Sequence, residues 1–554
     1  MSVWCQNCYS QKQERISVTV INHMLINRAA FGQSELKGYV PALLFTILLL
    51  LIFPGCASVK DAVEPPGASR GHITVFLTGA EKISANIAFE LASIGITAED
   101  GTHREIMGTP VAVDSKDLAG RQVLLSEVYL PEGMYKKLHM EVREAVLKGP
   151  DRVARLALPA DGIVIDADLR VLRGQSSSLF ITWDADASVS DGYLFSPALS
   201  VKGQAPELSS LLIYVTNEDS NTVSVIHKQT GENVATIMVG SKPRGIAVST
   251  DRNAPKVYVV NSGSNSISVI DPTIHKVEVE IPVRFGRNPE GIAVFSAPSG
   301  RELIFVTNYG SDNVSVIDGA TYREMEKISV GDGPVAVAVD PPAENISASR
   351  FLSFDDVTLL RRYRERFFNV YVANKHSKDV SVIRMDGERN TADRVFSVPV
   401  QWSPIALEVD YPRGRVYVAN FDYDDLSVVH ILQIVRENIP GAVTSITNVG
   451  NSVTGIAADP EFDRLYLVKE STGEITVIRP FSEAMGPRAV MSPMVGAVRV
   501  GNSPRSVMPD PEGRKLYVVN RESNTVSVVD KTTLREEKVI PVGRKPYGIA
   551  MFPF

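Results

Sequence analysis

Short apolar runs separated by polar turns dominate the chain after residue 208. The stretch YVTNEDSNTVSVIH starts at Tyr214 and returns, barely altered, as YVVNRESNTVSVVD at Tyr517. Five more copies lie between them: VYVVNSGSNSISVID (257–271), IFVTNYGSDNVSVID (304–318), VYVANKHSKDVSVIR (370–384), VYVANFDYDDLSVVH (416–430) and LYLVKESTGEITVIR (465–479). Their lead aromatics, Tyr214, Tyr258, Phe305, Tyr371, Tyr417, Tyr466 and Tyr517, follow one another at intervals of 44 to 66 residues. Such periods belong to propellers and repeat arrays. Each period predicts four strands: a YVTN strand, a TVSVID strand, a third such as NVATIMVG (233–240) and, after a Pro-bearing turn, a fourth such as GIAVST (245–250). Four short β-branched strands per period predict a propeller blade.

The first copy has no GIAV strand before it, and PYGIAMFPF (546–554) has no YVTN strand after it. The tail is therefore expected to complete the blade begun at Ile213, closing the ring and removing two open sheet edges. Residues 71–204 alternate differently. HITVFLT, NIAFELASIGI, RQVLLSEVYL, MYKKLHMEV, IVIDADLRVL and SLFITWDAD read as strands between turn residues, and several such strands predict a β-sandwich. One insertion, 344–368, carries Ser353 followed by Asp356, an N-cap with an acidic partner, and Val357, Leu360 and Tyr363 at helical spacing. Strand parity places this helix on the face from which the first domain emerges. The helix is thus expected to pack on the sandwich, with the opposite mouth pointing away from the anchor.

Composition narrows the function classes. The chain has 554 residues and a net charge of −7, which disfavours a nucleic-acid backbone as main partner. Its three cysteines, Cys5, Cys8 and Cys56, all lie within the first 56 residues, so disulfides and thiolate metal sites are excluded from the body of the protein. Around Cys56 the chain reads YVPALLFTILLLLIFPGC (39–56), preceded by Arg28 and Lys37. A positive start, an apolar run too short to span a bilayer and a small-residue end predict a signal peptide over 1–55. Met24 is an alternative start. The CQNC pair at Cys5 and Cys8 lacks the partners of a metal or redox motif. Residues 56–70 have a linker composition.

Three resemblances rest on these residues. FPGC (53–56) resembles a bacterial lipobox, with Phe53 and Pro54 departing from its usual residues; it implies lipidation of Cys56, and Ala57 after it implies the outer membrane of the cell envelope. GHITVFLTGAE (71–81), LPEGMYKKLHMEV (130–142) and ITWDADASV…YLFSPALSV (181–201) resemble the lipoprotein module catalogued as domain of unknown function 4382, which implies a transthyretin-like sandwich and no known chemistry. The repeats over 209–554 resemble the YVTN-type β-propeller family. The fold class expected is therefore all-β: an N-terminal β-sandwich, then a seven-bladed propeller (205–554) closed by its C-terminal strand.

The turns entering each GIAV strand differ most just after the proline: Arg244, Glu290, Val335, Ile405, Thr454, Arg505 and Tyr547. These residues are expected to ring the central mouth. Lys242, Arg244, Arg505, Arg544 and Lys545 make a basic arc near Tyr547, with Trp402 and Glu290 on the same face, an arrangement suited to a carboxylate, phosphate or acidic sugar. Asp422, Asp424 and Asp425 in FDYDD are oxygen donors for a hard cation but lack the calcium-loop pattern, so no cofactor or metal is expected. His72, His103 and His139 show no ligand spacing; His227, His275, His376 and His430 occupy different repeat positions. The Asn of each repeat (Asn217, Asn261, Asn308, Asn374, Asn420, Asn520) reads as scaffold, bonding its own loop backbone in a left-handed conformation; Lys469 breaks the series. The expected function is that of a monomeric, lipid-anchored binding or scaffold protein for a protein, anionic small molecule or polysaccharide. A propeller enzyme of lactonase or dehydrogenase type is the alternative, and nucleic-acid binding through the basic arc a second one.

Overall fold

The computed structural model describes residues 70–553, apart from 81, 151, 160–161, 206–207, 285, 342–348, 350, 481–493 and 512. The calls on 1–69, including Cys5, Cys8, Met24 and Cys56, lie outside the described residues. Among the described residues, no helix is long and apolar enough to cross a membrane.

Residues 70–203 build two large sheets over one core, beside a small two-stranded one, Val189–Ser190 with Leu194–Phe195. The first has the order Ala198–Gly203, Ser176–Asp184, Arg70–Gly79, Gln122–Pro131, with Arg70–Gly79 parallel to Ser176–Asp184. The second is centred on Ile87–Ala98 and Gly133–Lys148. The alternating positions Ile73, Val75 and Leu77 meet Ile87, Phe89, Leu91 and Leu138 in that core. Trp183, fully buried, still donates its indole N–H to Ser188 Oγ at 2.9 Å, so its burial leaves no orphaned donor.

From Leu212 on, the described strands form four-stranded antiparallel sheets, numbered here 1 to 7, with strands a to d from the inside out. Strands b and c are buried from end to end, as in Leu212–Asn217 and Thr222–His227, which explains their unbroken apolar character. The outer strands alternate instead: in Lys276–Pro282 every second side chain is exposed. The inner strands, Pro243–Val248, Pro289–Ser296, Pro334–Val339, Pro404–Asp410, Val453–Asp459, Pro504–Pro509 and Pro546–Met551, pack one on the next, and the last on the first. Such sheets fit a β-propeller. The tail strand Pro546–Met551 supplies strand a of sheet 1, with Ile213 opposite Met551 and Tyr214 opposite Ala550. Ion pairs also join sheets across the ring: Lys228 of sheet 1 bonds Asp510 of sheet 7 at 3.0 Å.

Three sequence expectations are corrected here. The helix Phe354–Arg364 does form, and Ser353 Oγ caps it by accepting from the Asp356 N–H at 3.2 Å. It does not pack on the two-sheet region. Leu360 is buried among Tyr371, Tyr411, Val416, Ile431 and Ile434, and Arg364 reaches the buried Asp340 at 3.5 Å, so the apolar face of the helix is spent on sheets 4 and 5. The two-sheet region lies instead along the outer strands of sheets 1 and 7. Gln122 is hydrogen-bonded to Asn233, with its Oε1 accepting from both Asn233 N–H and Nδ2; Tyr129 OH donates to Ser220 O, and Lys538 Nζ to Gly120 O. Second, Arg70 pairs with Pro131, and Tyr129 of that same partner strand bonds Ser220 in the b–c loop of sheet 1, so the first described strand begins on the side of the b–c loops. The mouth is on that same side, not the opposite one, because the region packs edge-on rather than beneath the ring. Third, the repeated Asn bonds chiefly across the hairpin rather than to its own loop backbone, although Asn420 Nδ2 also donates to Asp425 O of its loop at 3.1 Å. Asn217 Nδ2 donates to Thr222 Oγ1 at 3.1 Å and Ser224 Oγ at 2.9 Å, across the hairpin. The left-handed residues lie elsewhere in these hairpins, at Asn221, Asn265 and Asn524.

Two predictions follow from this architecture. Deleting 546–554 removes the buried Ile549, Met551 and Phe552, each worth roughly 1.5–3 kcal/mol, and exposes strand b of sheet 1. The truncated protein is expected to melt well below the full chain and to aggregate in size-exclusion chromatography; an unchanged melt and a monodisperse peak would count against closure. Glu408 of strand a in sheet 5 accepts one hydrogen bond, from the Ala458 N–H at 3.2 Å, and burial pushes its carboxyl up to about 8. The folded state then binds a proton that the unfolded state has released, so stability falls as pH rises from about 4.5 to 8, by about 1.4 kcal/mol per unit at most. Glu408→Gln is expected to raise the melting temperature at pH 8 and to leave it nearly unchanged at pH 4.

Candidate functional site

A register shift occurs in strand a of each sheet just after the proline, or at the equivalent Val453; Pro243 is opposite Asn261, but the next pair is Ile246 with Val259. A bulge re-aims the side chain it carries. At these bulges Arg244, Glu290, Val335, Ile405, Thr454, Arg505 and Tyr547 line one cavity of about 220 Å³. Beneath them lies an aliphatic layer that includes Ile246, Ile292, Val337, Leu407 and Ile456.

One half of the rim is charged. Arg244 bonds Glu290 on one side and Glu218 on the other, the latter at 2.8 Å. Glu218 also accepts from Arg521 at 2.6 Å. Burial pushes the Glu218 carboxyl up, but the hydrogen bonds from Arg521 and Arg244 outweigh it and hold it below the usual range. For Glu290 the balance is opposite. Burial dominates and its carboxyl is raised despite Arg244 and Arg505 nearby. Tyr547 lies between the two arginines. Arg505 donates to its hydroxyl at 2.6 Å, and the guanidinium carbons of Arg505 and Arg244 lie 4.6 and 5.4 Å from its ring centre. Arg505 is the mouth arginine with no carboxylate partner among the described residues.

The other candidates lie away from this cavity. Lys545 is paired with Glu522, and Arg544 is 3.7 Å from Glu127 of the two-sheet region. Neither they nor Lys242 line the cavity. Trp402 is exposed and covered by the Lys378 ammonium rather than facing the rim. The basic arc is thus mostly neutralised by carboxylates that counting Lys and Arg leaves out. Asp422 accepts from Ser403 Oγ, and burial and then Asp424 raise the Asp425 carboxyl; among the described residues no three His, Cys, Asp or Glu side chains are grouped to hold a metal. His103 and His139, far apart in sequence, meet through Thr97 Oγ1 at 3.1 and 2.9 Å.

Sequence reasoning missed Glu218 and Arg521. Both follow the repeated Asn directly, a position that takes six residue types in seven copies: Glu218, Ser262, Tyr309, Lys375, Phe421, Glu470, Arg521. The b–c loops share a face with the turns that carry Arg244, so this second variable position contained the signal.

Among solved structures, the chain is similar to hydrazine synthase of Kuenenia stuttgartiensis, with 17% identity over 58% of this chain and 93% of that one and a TM-score of 0.46. It is also similar to a functionally unknown protein of Desulfotomaculum acetoxidans, with 12% identity over 62% and 99% and a TM-score of 0.47. A third, apo AztD of Citrobacter koseri, has 14% identity over 62% and 97% and a TM-score of 0.40. No family model and no curated protein matches the chain.

Replacing Arg244 with Met would leave Glu218 and Glu290, whose side chains are 5% and 8% exposed, without their shared cation. A loss on the order of 2–4 kcal/mol is expected in urea unfolding at pH 7. Without the arginine both carboxyls bind protons more readily, so the deficit is expected to shrink as pH falls toward 4.

Proposed function

We propose that this chain is a YVTN-type propeller of seven blades, closed by its tail and preceded by a sandwich akin to domain of unknown function 4382, which works as an envelope-anchored binding protein. Cys56 is the lipidation site, and two acyl chains there hold the protein to a membrane. The mouth recognises a ligand that carries an anionic group.

The observation that supports this reading is Arg505. It lines the cavity, its guanidinium is oriented by the Tyr547 hydroxyl, and it lacks the carboxylate that its neighbours have. Arg244, Arg505, Arg521 and Lys545 face three carboxylates, Glu218, Glu290 and Glu522, which leaves one positive charge for an incoming anion. A planar guanidinium held in this way suits a two-oxygen acceptor. Both mouth carboxylates are committed to Arg244, so the rim is built to hold a charge rather than to pass a proton. That favours binding over the lactonase or dehydrogenase alternative.

Titration calorimetry of the purified full chain with acetate, phosphate and glucuronate tests this reading. At least one of the three is expected to bind, with a loss of tenfold or more in Arg505→Gln. Binding that ignores this substitution would move the site elsewhere. For the anchor, Cys56→Ala is expected to shift the protein from the membrane fraction to the soluble one.

A further inference from the structure

The mouth is asymmetric. Around the ring, Thr454, Arg505, Tyr547, Arg244 and Glu290 follow one another, and the remaining two positions are Val335 and Ile405. The apolar side continues inward, because the second residue after each of these positions is an aliphatic lining residue, as in Val337 and Leu407, and Ser506 is the one hydroxyl side chain in that lower lining. Thr454 offers no free donor to this space, since its hydroxyl donates to Pro504 O at 2.9 Å. A ligand entering the cavity therefore meets one available cation on one side, hydrocarbon on the other, and below them an aliphatic layer broken by Ser506.

We propose that the mouth binds a short-chain aliphatic monocarboxylate, with its carboxylate on Arg505 and its alkyl tail on Val335, Ile405 and the aliphatic layer beneath them. This rests on the anion-binding reading given above. Three features select that class. The volume of about 220 Å³ lies below the ~300–1,000 Å³ typical of drug-sized ligands, which suits a chain of a few carbons. The surplus of one positive charge matches a monoanion; a second negative charge would lie against Glu290 and Glu218, and like charges in a buried site repel. A sugar would need hydrogen-bond partners for its several hydroxyls, and among the lower lining side chains only Ser506 offers one, which would leave most of those hydroxyls unpaired at a cost.

The test is calorimetry on the full-length protein with acetate, butyrate, hexanoate, butyramide, succinate and inorganic phosphate. Affinity is expected to rise by about fourfold for each methylene from acetate to butyrate. Butyramide and succinate are expected to bind at least tenfold more weakly than butyrate. Arg505→Gln is expected to weaken butyrate at least tenfold, whereas Ile405→Asn removes the chain-length dependence and spares acetate. Melting curves of both variants check that the ring is intact, and Arg505→Lys, which keeps the charge without the fork, gives a second reading at the same position. Phosphate or succinate binding more tightly than butyrate, still lost in Arg505→Gln, would overturn the aliphatic class and leave the anion-binding mouth standing. No binding of any of these anions, with Arg505→Gln indistinguishable from the parent, would overturn both.

Discussion

The array depends on one repeated contact, a clasp between an asparagine and the start of the neighbouring hairpin strand. In six sheets the Asn that ends strand b donates to a Ser seven residues on, in strand c: Asn217 to Ser224 at 2.9 Å, Asn308 to Ser315 at 2.9 Å, Asn520 to Ser527 at 2.8 Å. The same Ser can take a backbone N–H from the link that enters its sheet, as Ser224 does from Gly543 and Ser268 from Gly240. The link passes so close that a side chain on Gly240 or Gly543 would come within 2.6–2.7 Å of the amide of Asn261 or Asn217. Glycine is required there for approach. The clasp thus fixes the end of strand b, the start of strand c and the path of the incoming chain together. Because that chain continues through two residues to the proline, the clasp also sets where the bulge falls, and with it the direction of Arg244 or Tyr547.

The opposite ends of the sheets are held by charge. Asp340, Asp410, Asp459 and Asp510 end or follow strand a in four sheets, and each is buried. Their cations come from different places: Arg364 from the inserted helix, Arg413 from the adjacent turn at 2.7 Å, Lys531 from sheet 7 at 2.8 Å and Lys228 from sheet 1 at 3.0 Å. A buried ion pair adds little net stability over a hydrophobic pair, yet breaking one is costly. The two that cross from one sheet to the next, Lys531 with Asp459 and Lys228 with Asp510, therefore serve to fix which sheet lies beside which. Lys228 with Asp510 does this where the chain's beginning and end meet, next to the hydrogen-bonded strand Pro546–Met551.

Much of this was legible in the sequence because the repeat reports twice on each residue. Positions that recur, the Asn and the β-branched runs, announced scaffold; positions that vary after the proline announced the rim. What remained hidden follows from interactions that no repeat encodes. Glu218 varies as freely as Arg244, but its role needs a b–c loop of sheet 1 to reach a strand of sheet 2. The inserted helix was readable as a helix from Ser353 and Asp356, and its partner was not, since Leu360 packs against side chains of strands, a turn and a second short helix, 11 to 74 residues away in sequence. The sequence has Lys469 where Asn was expected, and the structure gives it a substitute role: its ammonium lies 3.8 Å from Glu474, and Gly450 of the incoming link packs beside it.

These layers bear on specificity. The clasp is nearly identical from sheet to sheet, so it makes the ring close to symmetric, and symmetry alone cannot distinguish one ligand from another. Discrimination has to come from the few positions that the clasp aims but does not specify. Of these, Arg244 is held by two carboxylates and stacked near Tyr547, which makes it a brace for the rim. Arg505 has the same ring beneath it and, among the described residues, no carboxylate in ion-pair contact, Glu290 acting on it only from farther off. A cation oriented by a neutral hydroxyl retains most of its field for whatever enters the cavity, while one locked to carboxylates does not. Two chemically equal side chains, one turn of the repeat apart on either side of Tyr547, are thus given different tasks by their neighbours.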